Sequence, residues 1–271
     1  MKNRQLPGPY PIFCRGHSGG RLVCEAFIRN QIDMGHVDPA RKDTDFFNIH
    51  NPHLYKIILN AYQYPKAAAY QQRYYQNLMK RCITEYQKSE IHSKSPYGWK
   101  MGMSLFTMPV VLDAFPTAKV IHLIRDGRDV MLSRLEARFA HLNDPVNRLV
   151  VFGDTTINHF EGHLLTPKII ATYRNELEMQ HWVTAVKYGL KGRAYGEQYL
   201  EIKYEDICQN PILEFTQIFD FLKIPFLEST KTWLVEAVHH TRIGKWKSLS
   251  KEKMEKPLAI AGDLLQELGY L

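Results

Sequence analysis

The sequence predicts an α/β fold, a central parallel sheet flanked by helices, on three observations. Short apolar runs at 10–14, 119–124 and 199–204 have the length and the β-branched or alternating character of strands. Helix-patterned stretches separate them, and strands that alternate with helices pair in parallel. The first two runs lead directly into glycine-bearing polar turns, and open parallel sheets take ligands at the carboxyl ends of their strands. With 271 residues the chain can bury one substantial core, and we expect a single domain over 1–271 with a helical lobe at about 53–91.

Tyr10-Pro-Ile-Phe-Cys14 is the first strand. It enters Arg15-Gly16-His17-Ser18-Gly19-Gly20-Arg21, and Leu22 to Met34 follows as a helix carrying Val23, Ala26, Phe27 and Ile28. Strand, glycine-rich loop and helix form a phosphate cradle: backbone amides and the helix N-terminus face an anion, and glycine allows close approach. No Lys-Ser or Lys-Thr follows the glycines, so the Walker pattern is absent, and an empty tight turn has the same spacing. Asp43 and Asp45 then stand beside Phe46 and Phe47. A carboxylate against apolar rings can be raised into the range of a base, although an exposed turn ahead of two core phenylalanines reads the same. His53 to Gln63 and Ala67 to Ile91 read as helices divided at Pro65, with tyrosines that either line an acceptor cleft or pack half-buried. Pro96 to Lys100 reads as a short strand delivering one cation, and a helix follows over Ser104 to Phe115.

The strand at Lys119 to Ile124 ends on Arg125, turns at Asp126-Gly127 and enters a helix with Val130, Leu132 and Leu135. Ser133 lies eight residues beyond Arg125. A guanidinium fork and a hydroxyl on one side of a turn can hold a phosphate; the alternative is a surface turn whose arginines pair with Asp126 and Asp129. Residues 141–166 read as a long binding or lid loop, with turn signals at Asn143-Asp144-Pro145 and Phe152-Gly153-Asp154. Thr166-Pro167 opens a helix to about Leu190. Tyr199 to Tyr204 alternates as a strand, Glu205-Asp206 follow, and a helix runs from Pro211 to Leu222. Arg242-Ile-Gly244-Lys245-Trp246-Lys247 is either an anion clamp or a solvated basic loop, and Ser250 begins a last helix that ends at Gly269.

A net charge of +7 favours an anionic partner, while the spread of the basic residues along the chain argues against nucleic acid. Cys14, Cys24, Cys82 and Cys208 lack zinc-type spacing, so no metal is expected and reduced thiols are. With no apolar leader and no apolar run of about 18 residues, the expectation is a soluble, cytoplasmic chain without a membrane span.

These segments together resemble the sulfotransferases that use 3′-phosphoadenosine 5′-phosphosulfate (PAPS), over 10–34, 96–135, 199–226 and 239–270. Arg125 and Ser133 match the R-x-x-[RK]-D-x-x-x-S element that binds the 3′-phosphate in that family. Arg15 to Phe27 is similar to the 5′-phosphosulfate loop, most like the K-G-G-T-R form of heparan-type members, with Glu25 at the loop's glutamate. Tyr204-Glu205-Asp206 resembles the Y-E-D element whose tyrosine lies by the adenine, and Arg242, Gly244 and Trp246 resemble the R-x-G-x-W stretch that closes over the phosphates together with Lys245. Lys100 matches the lysine of the E-K-T-P stretch, and Asp43, with Asp45 in reserve, falls where heparan-type enzymes carry a catalytic glutamate.

The resemblance implies a P-loop-like sulfotransferase fold and an enzyme that moves a sulfuryl group from PAPS to a hydroxyl acceptor, a carbohydrate or glycolipid first and small alcohols next. Its donor site would comprise Arg15, Gly16, His17, Ser18, Gly19, Gly20, Arg21, Arg125, Ser133, Tyr204, Arg242, Gly244 and Lys245; Asp43, His17, Lys100 and Arg21 would do the chemistry. Two positions depart from the family: His17 stands where a lysine or arginine is usual, and Gly20 where a threonine is. Sulfuryl transfer puts negative charge on the leaving oxygen, so a donor aimed there is the interaction most needed. His17, Arg21 or Lys100 can supply it, and Ser18 can offset the missing hydroxyl, worth on the order of 1 kcal/mol. Two rivals share the sheet and the anion loop: a P-loop-type kinase of a small hydroxyl substrate, and a non-catalytic binder of nucleotide or anionic glycan.

Overall fold

The computed structural model describes residues 8–133, 142–239 and 243–271. Three parallel strands form the sheet in the order β1 (Ile12–Cys14), β2 (Val120–Ile124), β5 (Tyr199–Lys203). Ile121 lies opposite Ile12 on one side and Leu200 on the other. The extended stretch at 97–100 runs along the outer edge of β1, where the Tyr10 and Ile12 amides donate to the Tyr97 and Trp99 carbonyls at 2.9 Å. It thus delivers Lys100 beside the end of β1, as the sequence predicts.

β1 and β2 are buried throughout because both faces are covered, while β5 alternates in sequence. Ile12, Cys14, Ile121, Leu123 and Ile202 face one layer, made by α1 (Gly20–Arg29), α10 (Pro211–Leu222) and α11 (Glu228–Ala237). Phe13, Val120 and Ile124 alternate to the opposite face. There they meet the helical lobe of α2 (Pro52–Leu59), α3 (Ala69–Ser89), a 3₁₀ turn at Gly102–Thr107 and α4 (Met108–Ala114), and then α5 (Gly127–Leu132), α8 (Arg174–Gly189) and α12 (Lys251–Glu267). The remaining elements are α6 (Pro145–Phe152), a small hairpin of β3 (His159–Phe160) and β4 (His163–Leu164), α7 (Pro167–Thr172) and α9 (Tyr204–Gln209).

Four expectations need correction. The first helix stops at Arg29, since Asn30 leaves helical geometry and ties its amide side chain to the Pro225 carbonyl and the Leu227 amide. The supposed loop at 141–166 contains α6 and the hairpin. The helix opened by Thr166 is two helices that meet at Tyr173. The helix predicted from Ser104 starts as a 3₁₀ turn and becomes α-helical at Met108. Leu135 and Arg242 lie outside the described residues. No helix among the described residues is long and apolar enough to cross a membrane, and the four cysteines are buried thiols.

Candidate active site

A cavity of about 820 Å³ opens at the carboxyl end of the sheet. Its walls bring together most residues singled out above: Arg15, Gly16, His17, Gly19, Gly20, Arg21, Asp43, Lys100, Arg125, Ser133, Tyr204 and Lys245 all line it. Ser18 and Gly244 do not.

The loop after β1 turns tightly because His17 and Gly19 both take positive φ, 71° and 91°. The Ser18 amide closes the turn on the Arg15 carbonyl at 3.1 Å and the Leu22 amide donates to Gly19, so α1 starts with its first amides aimed out of the helix end. The Ser18 amide is therefore consumed in the turn, and its buried hydroxyl finds no hydrogen-bond partner among the described residues. Glycine is required twice here. A Cβ on Gly19 would sit 2.1 Å from the Tyr204 ring, and one on Gly20 would meet Cys14 Sγ at 2.7 Å and Lys100 Cε at 2.9 Å. The threonine usual at position 20 in the family it resembles would press on Cys14 Sγ and displace the end of the Lys100 side chain.

Arg125 joins the loop to the second strand. Its Nη1 donates to the His17 carbonyl at 3.0 Å, its guanidinium lies 4.8 Å from the centre of the Tyr204 ring, and its own carbonyl accepts from the Trp182 indole at 2.9 Å. The ion pairs that the sequence offered as the alternative reading of this turn are present. Arg128 forks onto Asp126, and Arg125 approaches Asp129 at 3.7 Å, yet these pairs are buried and Arg125 still lines the cavity. Asp129 also accepts from the Gly244 and Trp246 amides at 2.7 and 3.1 Å, which brings 244–246 against the turn. Gly244 thus reaches the site through Asp129 rather than by lining it. The chain's last turn fastens the same strand ends: the Tyr270 carbonyl accepts from Arg128 at 2.7 Å and its hydroxyl donates to Glu205 at 2.9 Å. Burial raises the Glu205 carboxyl above the usual range, against the pull of hydrogen bonds from the Asp126 amide and Tyr270.

Across the cavity, Lys100 Nζ lies 2.6 Å from Asp43 Oδ1 and 3.0 Å from the Arg41 carbonyl. Reciprocal bonds through Thr44, from its amide to the Lys100 carbonyl and from the Lys100 amide to its hydroxyl, hold the two segments in register. Asp43 therefore faces a cation and not the phenylalanine rings expected from the sequence; Phe47 stacks on Trp99 in the core. Asp45 pairs with Arg41 at 3.6 Å and does not line the cavity, so the reserve carboxylate is out of place. Arg21 lies exposed on the first turn of α1, bonded to the Ala40 carbonyl at 3.2 Å.

Sequence reasoning placed a helix over this stretch but missed that α8 enters the site. Arg15, expected to touch a nucleotide, is buried in an ion pair with Glu178, which couples the loop to that helix. His181 lines the cavity one turn on, and Trp182 packs beneath Gly127, where a Cβ would meet its ring at 2.5 Å. A carboxylate inside the otherwise apolar stripe Leu177, Trp182, Ala185, Val186 was the available signal. A second cavity of about 320 Å³ shares Arg21, Leu22 and Tyr204 with the first and is otherwise lined by residues that include Trp233 and Val238.

The pattern of the sulfotransferase family matches residues 16–228. Carbohydrate sulfotransferase 4 of Mus musculus is 24% identical over 182 residues, which cover 60% of this chain and 44% of that protein, so the chain spans less than half the relative's length. Solved structures agree on the fold. The sulfotransferase domain from the curacin biosynthetic pathway superposes with a TM-score of 0.54 at 16% identity, covering 96% of this chain and 98% of the other. A mouse sulfotransferase complexed with PAP gives 0.53 at 10% identity over 97% and 86%, and one from Mycobacterium avium gives 0.54 at 14% over 98% and 78%. With the match over most of its length and this cavity at the strand ends, the chain belongs to the sulfotransferase family.

Proposed function

We propose that the protein transfers a sulfuryl group from PAPS to a hydroxyl-bearing acceptor. One observation carries the reading: the Arg125 bond to the His17 carbonyl makes the loop after β1 and the turn after β2 a single anion-binding wall, with the Tyr204 ring against it. The residues fit a polyanion. Arg15, Arg21, Arg41, Lys100, Arg125 and Lys245 line the cavity, and Asp43 is the one carboxylate among the described lining residues. The amides that open α1 take the 5′-phosphate, Arg125 with Ser133 takes the 3′-phosphate, and Tyr204 with Leu22 and Trp233 bounds the slot for adenine. Arg15 contributes indirectly, by tying the loop to Glu178.

When bound, the donor supplies an activated sulfur whose leaving group is a phosphate. Asp43 takes the proton of the acceptor hydroxyl as its oxygen attacks sulfur in line. Lys100 meets the charge that collects on the bridging oxygen as the old sulfur–oxygen bond breaks, and the ion pair keeps both groups aimed at one point. Exposed His17 and Arg21 stand at the rim as further donors to the same phosphate.

Calorimetry tests the donor site. 3′,5′-Adenosine bisphosphate should bind without added metal and more tightly than ATP with magnesium. Arg125→Ala should weaken it by roughly 1.5–3 kcal/mol, about 10- to 150-fold, the worth of a charge-assisted bond. Unchanged affinity in that variant removes Arg125 from the phosphate site, and a preference for ATP with magnesium favours a kinase.

A further inference from the structure

We infer that the acceptor is a hydroxyl carried on an extended apolar body, alkyl or aryl, and not an oligosaccharide; this rests on the sulfuryl-transfer reading. The cavity has two unlike sets of lining residues. One wall is apolar: Met101, then Met103 and Phe106 from the 3₁₀ segment that follows it, Val150 and Val151 from α6, and Ala185 from α8. Helix α8 packs on both α6 and the 3₁₀ segment. Asn147 and His181 are the polar side chains among the described residues there.

Chemistry decides between the acceptor classes. A sugar ring carries several hydroxyls, each of which loses water on entering, and a wall of thioethers, valines and one phenyl ring returns few hydrogen bonds. An anionic glycan would further need cations on this wall, and among the described lining residues the arginines and lysines come from the glycine loop and the start of α1, residues 41 and 100, the end of β2 and residue 245. An alkyl or aryl body matches the surface, and two half-buried methionines adapt to its shape. The wall also starts at the right place. Met101 directly follows Lys100, so a hydroxyl at the tip of a body lying on the wall arrives at the Lys100–Asp43 pair.

The experiment uses the full chain with labelled PAPS and three arms: straight-chain alcohols from hexanol to dodecanol, 2-naphthol, and a heparan-type oligosaccharide. We expect kcat/KM to rise roughly 3- to 4-fold per added methylene, the increment for burying one such group, until the wall is filled. The naphthol arm tells aryl from alkyl, and the oligosaccharide should be the poorest acceptor. Met103→Gln should raise the alcohol KM about tenfold, the loss of one to two buried methylene equivalents, with bisphosphate affinity unchanged. An oligosaccharide that outperforms the alcohols, or rates indifferent to chain length, overturns the inference. If no alcohol turns over, calorimetry of dodecanol on the bisphosphate complex decides: binding that strengthens with chain length upholds the class, and none overturns it. Failure of the bisphosphate itself to bind is a separate result, and it strikes the donor reading instead.

Discussion

Lys100 Nζ has two oxygens in reach, Asp43 Oδ1 at 2.6 Å and the Arg41 carbonyl at 3.0 Å, which leaves its third proton for the cavity. Removing the carboxylate's basicity while keeping its shape separates chemistry from binding. Asp43→Asn should lower kcat by 10²- to 10⁴-fold, the usual range for a general base, and leave bisphosphate affinity nearly intact. Wild-type turnover in that variant would pass the role to another group on the cavity wall. Asp43 was legible as a candidate base, but its partner was not, because Lys100 arrives from 57 residues away through the Thr44 bonds. Gly20 shows the same limit. In the sequence it is a missing hydroxyl; in the fold it leaves the space that the end of the Lys100 side chain takes up.

At the level of elements, α8 holds the site from behind with the Arg15–Glu178 pair and the Trp182 indole. Glu178→Ala leaves a guanidinium buried without its carboxylate, and such breaks cost about 3–5 kcal/mol. Urea unfolding should show a loss of that size, and a loss under about 1 kcal/mol would mean that Arg15 finds water or another partner. Replacing both residues with apolar ones should recover much of it, since a buried pair gains little over good packing. The strands and the two anion turns were readable because local pattern dictates them. Helix α6 was not, for a physical reason: helix ends and loops use the same residues. Asp144 is its N-cap, accepting from the Val146 and Asn147 amides, Pro145 takes the first helical position, and Gly153 closes it at φ 76°. Each had read as a turn signal.

The whole molecule carries one titration that no motif foretells. His122 lies in the middle of β2, with Gly189 of α8 against its ring and its Nδ1 2.5 Å from the Tyr199 hydroxyl. Burial lowers its pKa to about 4, so the folded protein keeps it neutral where the unfolded chain, near pKa 6.5, takes up a proton. The unfolded state therefore binds more protons as the pH falls below 6.5, and stability drops until about pH 4, by roughly 3 kcal/mol in total. Between pH 6.5 and 5, wild type should lose about 2 kcal/mol more than His122→Asn in urea unfolding; equal slopes would show that the imidazole is solvated. Cores that bring sheet and helices together place such groups, and a strand's apolar run gives no hint of them. The last turn has a consequence of its own. Arg128 and Glu205, which brace the strand ends bearing Arg125 and Tyr204, both hold Tyr270. Synthesis runs from the N-terminus. A nascent chain on the ribosome thus exposes its glycine loop while the brace for the other half of the pocket has yet to be translated. That half of the pocket is braced only once Tyr270 has been made and has folded back onto Arg128 and Glu205.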